Sequence, residues 1–442
     1  MEMTNNDWKK ELTSPEEAVK LVHDHDRIFI GFVSNITPML SDALWERRQE
    51  LNDITIISGL LLRPTRLYTE PTENQPFKML SLFLGPFERT AMKIGRPSAF
   101  TSLHLSQVDD WFHNIGKVSV VFISASMPDE NGNVSFGVSG GSVYRFLLDT
   151  ADRVILELNP NMPYVYGQDT IFNIKDADAI VMSDKAIPEM AEGEPDEITE
   201  KISDQIVPLI PDGATIQLGI GGLSSAIGNK LTDKNDLGIF SEMLCPSMVK
   251  LMKNGNVTNK YKGFMDGKSV YAFAAGDKAM YDFMDHNENI YNAYFSFAND
   301  PRMIMKNKKM ISINTAMAIN LYGETAADAI GYHQYSAIGG QLDYVRGAQW
   351  SEGGKSIIAM DSSYIKNGKR YSKINFTFPE GTPISTPRSD IEYVATEYGC
   401  IDLKHLTMAD RVRAMISLAH PDFRDELTEK ARHVGLILYQ RK

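Results

Sequence analysis

The sequence predicts an α/β protein made of two related α/β domains with parallel-rich sheets, and three observations carry that prediction. Short apolar, mostly β-branched runs at 27–31, 54–58, 118–123 and 153–158 stop at or just before Gly, Ser or Asn. An amphipathic segment at 15–24 precedes the first of these runs and another at 38–50 separates the first two, the alternation expected of βαβ units. The third observation is an internal repeat. Ile28-Phe-Ile-Gly31-Phe-Val-Ser runs from an apolar strand into a glycine turn, as does Ile216-Gln-Leu-Gly-Ile-Gly-Gly-Leu. Asn52-Asp-Ile-Thr-Ile-Ile-Ser-Gly59-Leu then stands where Asn235-Asp-Leu-Gly-Ile-Phe-Ser-Glu242-Met stands in the second copy. One copy ends its second strand in glycine and the other in a carboxylate, so the chemistry is expected in the second.

At 442 residues the chain exceeds one typical hydrophobic core, and two domains of roughly 200 residues each are the default. The polar stretch Met190-Ala-Glu-Gly-Glu-Pro-Asp-Glu interrupts the strand–helix alternation and reads as the connection, dividing the chain into residues 1–192 and 193–442. Its end, Pro195-Asp-Glu, opens an expected helix over 198–207 that Pro208 stops. Asp129-Glu-Asn-Gly-Asn is a turn by composition. The second half restarts near Pro211. Thr407-Met-Ala-Asp410 resembles a capping box with Asp in place of Glu, before a helix with Val412, Met415, Ile416 and Ala419 on one face.

Composition excludes several function classes. A hydrophobic fraction of 43% and a charged fraction of 23% describe an ordinary globular protein. The formal net charge of −12 argues against broad nucleic-acid or anionic-membrane binding, which need a basic surface. A small anion is not excluded, because a glycine turn at a helix start binds phosphate or carboxylate locally. The polar first residues lack the basic start and apolar core of a signal peptide, and no apolar run is long enough for a bilayer. Cys245 and Cys400 are the only cysteines, too few for a disulfide framework or a cysteine metal site. A cytoplasmic enzyme is the expectation.

Gly219, Gly221 and Gly222 follow one strand and precede an expected helix over 223–231. Glycines there let backbone approach a ligand, and the helix start favours negative charge. Glu242 has three readings at this level. It is a solvated acid at a strand end, the usual fate of a glutamate; or a ribose ligand closing a dinucleotide-binding unit; or a nucleophile toward an activated acyl group. Against the dinucleotide stands the spacing: after Gly221 come Gly222-Leu-Ser-Ser-Ala-Ile, with no further glycine until Gly228.

The flanking blocks bear on this choice. Gln217-Leu-Gly-Ile-Gly-Gly, Leu237-Gly-Ile-Phe-Ser-Glu242-Met, Ile338-Gly-Gly-Gln-Leu-Asp-Tyr, Gly353-Gly-Lys-Ser-Ile-Ile-Ala and Val394-Ala-Thr-Glu-Tyr-Gly-Cys-Ile-Asp-Leu follow one another, leading into Ala419-His-Pro-Asp-Phe-Arg-Asp-Glu-Leu. Together they resemble the acetyl-CoA hydrolase/transferase family, especially its 4-hydroxybutyrate and butyryl-CoA:acetate CoA-transferase members. The likeness extends to Met127-Pro-Asp-Glu-Asn-Gly and Phe297-Ala-Asn-Asp-Pro, so it covers nearly the whole chain. It implies the class I CoA-transferase fold, two α/β domains with the active site between them, and transfer of CoA between an acyl-CoA and a short carboxylate.

By that resemblance Glu242 matches the catalytic glutamate, which forms a glutamyl-CoA thioester in ping-pong chemistry. Gly339 and Gly340 would supply oxyanion N–H groups, joined by an amide near Val33. Gly219, Ile220, Gly221, Gly222 and Leu223 match a CoA-contacting turn, with Asn314 and Lys355 as further CoA contacts. Coenzyme A enters as substrate, with no other cofactor and no metal. The implied partners are small carboxylates and acyl-CoA, with a second copy of the chain in a homodimer.

Two departures bear on the substrate. The family's Asp-Leu-x-Gly-Gln-Val is here Asn320-Leu-Tyr-Gly-Glu324-Thr, with Asp328 a little further on. After Met162-Pro163, where 4-hydroxybutyrate-type members often have Arg-Thr-His, stand Tyr164-Val-Tyr166. Tyr164 and Tyr166 are therefore expected to line or support the acyl pocket and to favour short uncharged acyl groups. Acyl-CoA hydrolysis and dicarboxylate transfer, from succinyl-CoA or to itaconate, are the alternatives within the family. An NAD-dependent oxidoreductase is the alternative from another class. The nine histidines are scattered without metal-ligand spacing, His420 being expected at a helix end. Cys245 lacks an evident activating base, and the methionines read as core filler.

Overall fold

The computed structural model describes residues 7–219 and 221–437, which fall into two compact units. The first comprises Met1–Ala191, Glu242–Pro246 and Lys268–Ala298, and the second Glu192–Ser241, Ser247–Gly267 and Asn299–Lys442. The first unit's sheet is built from β1 (Arg27–Phe32), β2 (Ile54–Gly59), β3 (Phe77–Ser81), β4 (Ser98–Phe100), β5 (Val120–Ala125), β6 (Arg153–Leu158) and β7 (Ala179–Met182). Their order is β4-β3-β2-β1-β5-β6-β7, and each neighbouring pair is parallel. Strands buried on both faces read as continuous apolar runs, which is why β5 is buried at every position.

Next in the chain come β8 (Thr215–Leu218), β9 (Gly238–Leu244), β10 (Ser269–Ala274), β11 (Ile290–Asn292), β12 (Met310–Thr315), β13 (Lys355–Ala359), β14 (Ser363–Lys366), β15 (Lys369–Ser372), β16 (Tyr393–Thr396) and β17 (Gly399–Asp402). Within this series β9-β8-β12-β13-β16 is parallel, and β17 closes it as an antiparallel hairpin partner of β16. That order reproduces β2-β1-β5-β6-β7 of the first unit. Strands β10 and β11, which belong to the first unit, pair with each other in parallel.

The internal repeat is legible down to single hydrogen bonds. Arg27 pairs with Thr55 and Ile28 with Ile56; in the second copy Thr215 pairs with Gly238 and Ile216 with Ile239. These are the equivalences the sequence repeat predicts. Just before the strands, Asn52 N–H donates to Asp24 Oδ1 at 2.8 Å, and Asn235 N–H to Asp212 Oδ1 at 2.8 Å. His25 N–H donates to the Asn52 carbonyl and Gly213 N–H to that of Asn235. Asp53 and Asp236 both take a left-handed backbone, with φ of 56° and 55°. Asn and Asp tolerate that region because their short polar side chains bond locally.

Local expectations are met with small shifts. The segment at 15–24 forms only a short helix, Pro15–Ala18, and a 3₁₀ turn, Val19–Leu21, where a longer helix is expected from the pattern. The helix after the connection is Glu197–Ile206, capped by Asp196 Oδ1 on the Thr199 N–H. Thr407 caps Met408–Leu418, with Val412, Met415 and Ile416 buried in the second unit's core beside Leu342, Ile358 and Val394. His420 is the N-cap of Pro421–His433, its Nδ1 accepting from the Asp422 N–H, so its role is structural.

One buried carboxylate makes a stability prediction. Thr37 gives the helix Pro38–Glu46 no side-chain cap. Instead Glu157 Oε2, from β6, accepts the Leu40 N–H at 3.1 Å. Burial outweighs these backbone bonds and pushes the Glu157 carboxyl from the ordinary 4.5 up to about 7. The folded state thus keeps a proton that the unfolded state releases near 4.5. This contribution to stability is complete below pH 4.5 and is lost as pH rises to about 7, a change of about 3 kcal/mol. In Glu157→Gln the amide oxygen still accepts and cannot ionise. Urea unfolding at pH 5 and 7.5 should show a shallower loss of stability in Glu157→Gln; parallel pH dependences would refute this assignment.

Candidate functional site

In the second unit, β8 is flanked by β9 on one side and β12 on the other, so the order of the strands reverses at β8. Ligands of open α/β sheets bind at the carboxyl ends of strands at such a reversal. The turn after β8 is built for close approach. Gly219 N–H donates to the Ile313 carbonyl at 3.1 Å, and Ser224 N–H to the Gly221 carbonyl at 3.1 Å. Gly221 takes φ 115° and ψ −170°, a conformation reserved for glycine, and caps the helix Gly222–Lys230. A Cβ at Gly221 would meet nothing within 4 Å. At Gly219 and Gly222 the nearest atoms would be 3.6 and 3.7 Å away. Protein packing therefore does not demand these glycines, and the free space lies where the backbone and the helix dipole favour an anion. Leu223 is half-buried in the helix's first turn; Ile220 lies outside the described residues.

Asn314 is half-buried near the end of β12, where its amide and that of Gln217 bond reciprocally, both at 3.3 Å. Gln217 is 3% exposed, and the block that it opens in the sequence does not announce this pairing. Gly339, with φ 66°, precedes Gly340, the N-cap of the ten-residue helix Gln341–Trp350. Gln341 Nε2 donates to the Thr315 carbonyl at 2.7 Å, tying this helix start to the strand end that carries Asn314. The loop before it is organised by Asp328, whose carboxylate accepts from Gln334 Nε2 at 3.1 Å and from the Ser385 hydroxyl. Its carbonyl takes the Tyr335 and Ser336 N–H groups. The glycine turn, Asn314 and Gly339–Gly340 thus meet at one carboxyl edge.

Lys355 is not brought to that edge. It opens β13 opposite Ile311, whereas Asn314 pairs with Ile358. Three residues of strand, roughly 10 Å, separate the two levels. Lys355 starts its strand where the others end theirs, so the glycine turn, Asn314 and Gly339–Gly340 form the edge without it.

In the first unit, Glu242 is half-buried on β9, which continues to Leu244. The carboxylate therefore stands inside the strand and not at its end as the sequence suggests, on the same side as Phe240 and Leu244. Its counterpart Gly59 is tightly packed: a Cβ would lie 3.1 Å from the Phe83 nitrogen and 3.3 Å from the Phe32 ring, so those neighbours would have to give by a few tenths of an ångström. Packing thus favours a small residue at that position in the first copy. Val33 is a β-branched residue at φ 55°, a strained conformation of the kind found at functional turns. Its N–H donates to the Gly59 carbonyl at 3.1 Å. That bond takes the amide expected to serve an oxyanion, so Val33 is withdrawn from the donor set.

Tyr164 is buried, with its ring stacked on His286 at 5.0 Å and edge-on to Tyr166 at 5.7 Å. Its N–H donates to Asp285 Oδ1 at 2.7 Å. Burial, with Asp129 beside the hydroxyl, pushes the phenol up to about 12. A cavity of about 340 Å³ adjoins Met162 and Pro163, but its lining also includes Glu189, Lys278, Asp282 and Asp285 and neither tyrosine. Neither tyrosine lines that cavity, and Tyr164 meets its wall through the N–H bond to Asp285. Cys245 is buried at 2% exposure.

The family model of the acetyl-CoA hydrolase/transferase N-terminal domain matches residues 1–192, and that of the C-terminal domain matches residues 276–431. The chain belongs to the acetyl-CoA hydrolase/transferase family. Among its relatives in that family, 4-hydroxybutyrate coenzyme A transferase of Clostridium kluyveri is 34% identical over 421 residues, covering 95% of this chain and 97% of the relative. Butyryl-CoA:acetate CoA-transferase of Anaerostipes caccae is 34% identical over 432 residues, covering 96% of each. RipA from Yersinia pestis shares the fold at a TM-score of 0.89 and 33% identity, over 97% of this chain and 99% of RipA. The 4-hydroxybutyrate CoA-transferase of Porphyromonas gingivalis aligns at 0.77 and 27% identity, over 97% and 98%. An acetyl-CoA hydrolase of Yarrowia lipolytica is more distant, at 24% identity over 70% of this chain. The acetyl-CoA hydrolase/transferase family is one of enzymes, and among the described residues no helix is long and apolar enough to cross a membrane.

Proposed function

We propose that this enzyme moves CoA between an acyl-CoA and a short-chain carboxylate of the 4-hydroxybutyrate, butyrate or acetate type, through a thioester on Glu242. The observation that carries the reading is one of register. Ile216 pairs with Ile239, and Gly219 and Glu242 each stand three residues beyond that pair along parallel strands. A turn suited to an anionic ligand and a half-buried carboxylate thus follow from one repeat, in the copy that departs from glycine. The names of the two relatives at 34% identity support the same chemistry.

The chemistry proceeds in balanced steps. A Glu242 carboxylate oxygen attacks the acyl carbonyl carbon, the C–S bond breaks, and CoA leaves as thiolate, giving a mixed anhydride. The thiolate then attacks the glutamyl carbonyl carbon and expels the first carboxylate, leaving CoA on Glu242. The second carboxylate reverses both steps and departs as its CoA thioester. Splitting the exchange in this way is what covalent catalysis offers, and a glutamyl group matches the acidity of its substrates, so no intermediate is a deep trap. Each tetrahedral intermediate carries an oxyanion that needs preorganised donors. The helix start at Gly340 is the assigned source, because its first-turn N–H groups and dipole both favour negative charge.

A donor and acceptor panel tests this function. With acetyl-, butyryl- and succinyl-CoA as donors, CoA exchange should require an added carboxylate and should favour uncharged short chains over dicarboxylates. Thiol release at the same rate without any carboxylate would instead establish hydrolysis. The highest kcat/KM for succinyl-CoA or itaconate would overturn the acyl preference.

A further inference from the structure

The second unit carries a cavity of about 460 Å³ that the chemistry at Glu242 does not use. Its rim is the hairpin of β14 and β15, joined by Asn367-Gly368 with both residues at positive φ, 51° and 73°. Such an Asn-Gly turn fixes the register of a two-residue hairpin. Tyr364 pairs with Tyr371 and Lys366 with Lys369, so all four share one face. The tyrosine rings stack at 5.4 Å and 18°, yet remain 44% and 38% exposed. Tyr364, Lys369 and Tyr371 line the cavity, which continues over Phe376 and Phe423.

The charges on this face stand opposite one another. Like charges directly opposite in a hairpin are destabilising, and Lys366 and Lys369 are placed that way. Neither ammonium has an acidic partner among the described residues; Lys369 lies over the Tyr371 ring at 5.4 Å. The neighbouring cations are compensated, Lys373 by Asp361 and Lys430 by Glu426, while Arg370 lies 3.8 Å from Asp422. A local conflict kept in a chain of net charge −12 points to a ligand that resolves it. Exposed stacked aromatics receive a planar base, and unpaired lysines beside them receive phosphate.

The cavity also adjoins the site. Its wall includes Met317 and Ala318, and Met317 is three residues beyond Asn314, a span of at most about 11 Å even when extended. We propose that this hairpin face binds a phosphorylated nucleotide, and, resting on the function proposed above, that this nucleotide is the 3′-phospho-ADP end of the acyl-CoA. Tyr364 and Tyr371 take the base, and Lys366 and Lys369 take phosphate.

Two measurements test the proposal. Calorimetry with 3′,5′-ADP should detect binding to the wild type that weakens with added salt and drops at least tenfold in the Lys366→Ala, Lys369→Ala double variant and in Tyr371→Ala. Equal binding by wild type and variants, or none by the wild type, would overturn it whether or not CoA transfer is the activity. Kinetically, the preference in kcat/KM for acetyl-CoA over S-acetylpantetheine should fall at least tenfold in the double variant, through KM. An unchanged preference would also overturn it, because a purely structural role lowers both substrates alike. Absence of transfer in the wild type, with nucleotide binding lost in the variants, would leave this site standing and refute only the function.

Discussion

Glu242→Ala should abolish CoA transfer while leaving CoA affinity nearly unchanged. The carboxylate is assigned as a nucleophile, and the binding contacts are assigned elsewhere, to the turn at Gly219–Gly222 and to Asn314. The nearby thiol is not an exposed substitute: Cys245, three residues on, is buried at 2% exposure. Glu242→Asp keeps the charge but moves the attacking oxygen back by about one methylene, and misplacement by an ångström costs about 100-fold. Steady-state rates for the three enzymes, with calorimetric CoA binding for Glu242→Ala, measure both halves. Loss of binding in parallel with loss of rate would make the carboxylate a ligand contact or a structural group.

Gly221→Ala should raise KM for acyl-CoA about tenfold to a hundredfold. The reason is backbone conformation and not crowding, since a Cβ at Gly221 would meet nothing within 4 Å. At φ 115° and ψ −170° an alanine is strained by about 1–3 kcal/mol, and each 1.4 kcal/mol is worth a factor of ten in binding. The turn relieves that strain by moving, which displaces the first N–H groups of Gly222–Lys230. Gly222 has an ordinary φ, so Gly222→Ala is the comparison, and its smaller effect separates strain from loss of ligand space. Equal KM values for the wild type and Gly221→Ala would remove the turn from the CoA site.

Much of this was legible in the chain because it is written locally. The apolar runs and the repeat of Asn52–Leu60 at Asn235–Met243 predict strands, and the pairings Arg27–Thr55 and Thr215–Gly238 bear out the equivalences. The glycine turn was also readable, since Gly219, Gly221 and Gly222 interrupt an apolar strand before a helix. What escaped were properties that depend on register or on distant partners. Lys355 follows Gly353-Gly354 and resembles a ligand-binding loop, but it opens its strand at the end opposite the edge that carries Asn314. Val33 lies in the expected turn, yet its amide is claimed by Gly59 from the neighbouring strand. Nothing around Gln217 announces its pairing with Asn314, 97 positions away. The Lys366-Asn-Gly-Lys369 hairpin carried a usable signal, because Asn-Gly between alternating residues marks a two-residue turn and so places the lysines face to face.

The central claim is that CoA becomes covalently attached to Glu242. A glutamyl thioester is nearly isoenergetic with the thioester from which it forms, so it accumulates when the released acid is dilute. Intact-mass analysis of fresh enzyme incubated with acyl-CoA and no acceptor should show a CoA-sized increment, removed by an acceptor carboxylate and mapping to Glu242 after digestion. An active enzyme with no such increment, or with the increment on Cys245, would contradict the account.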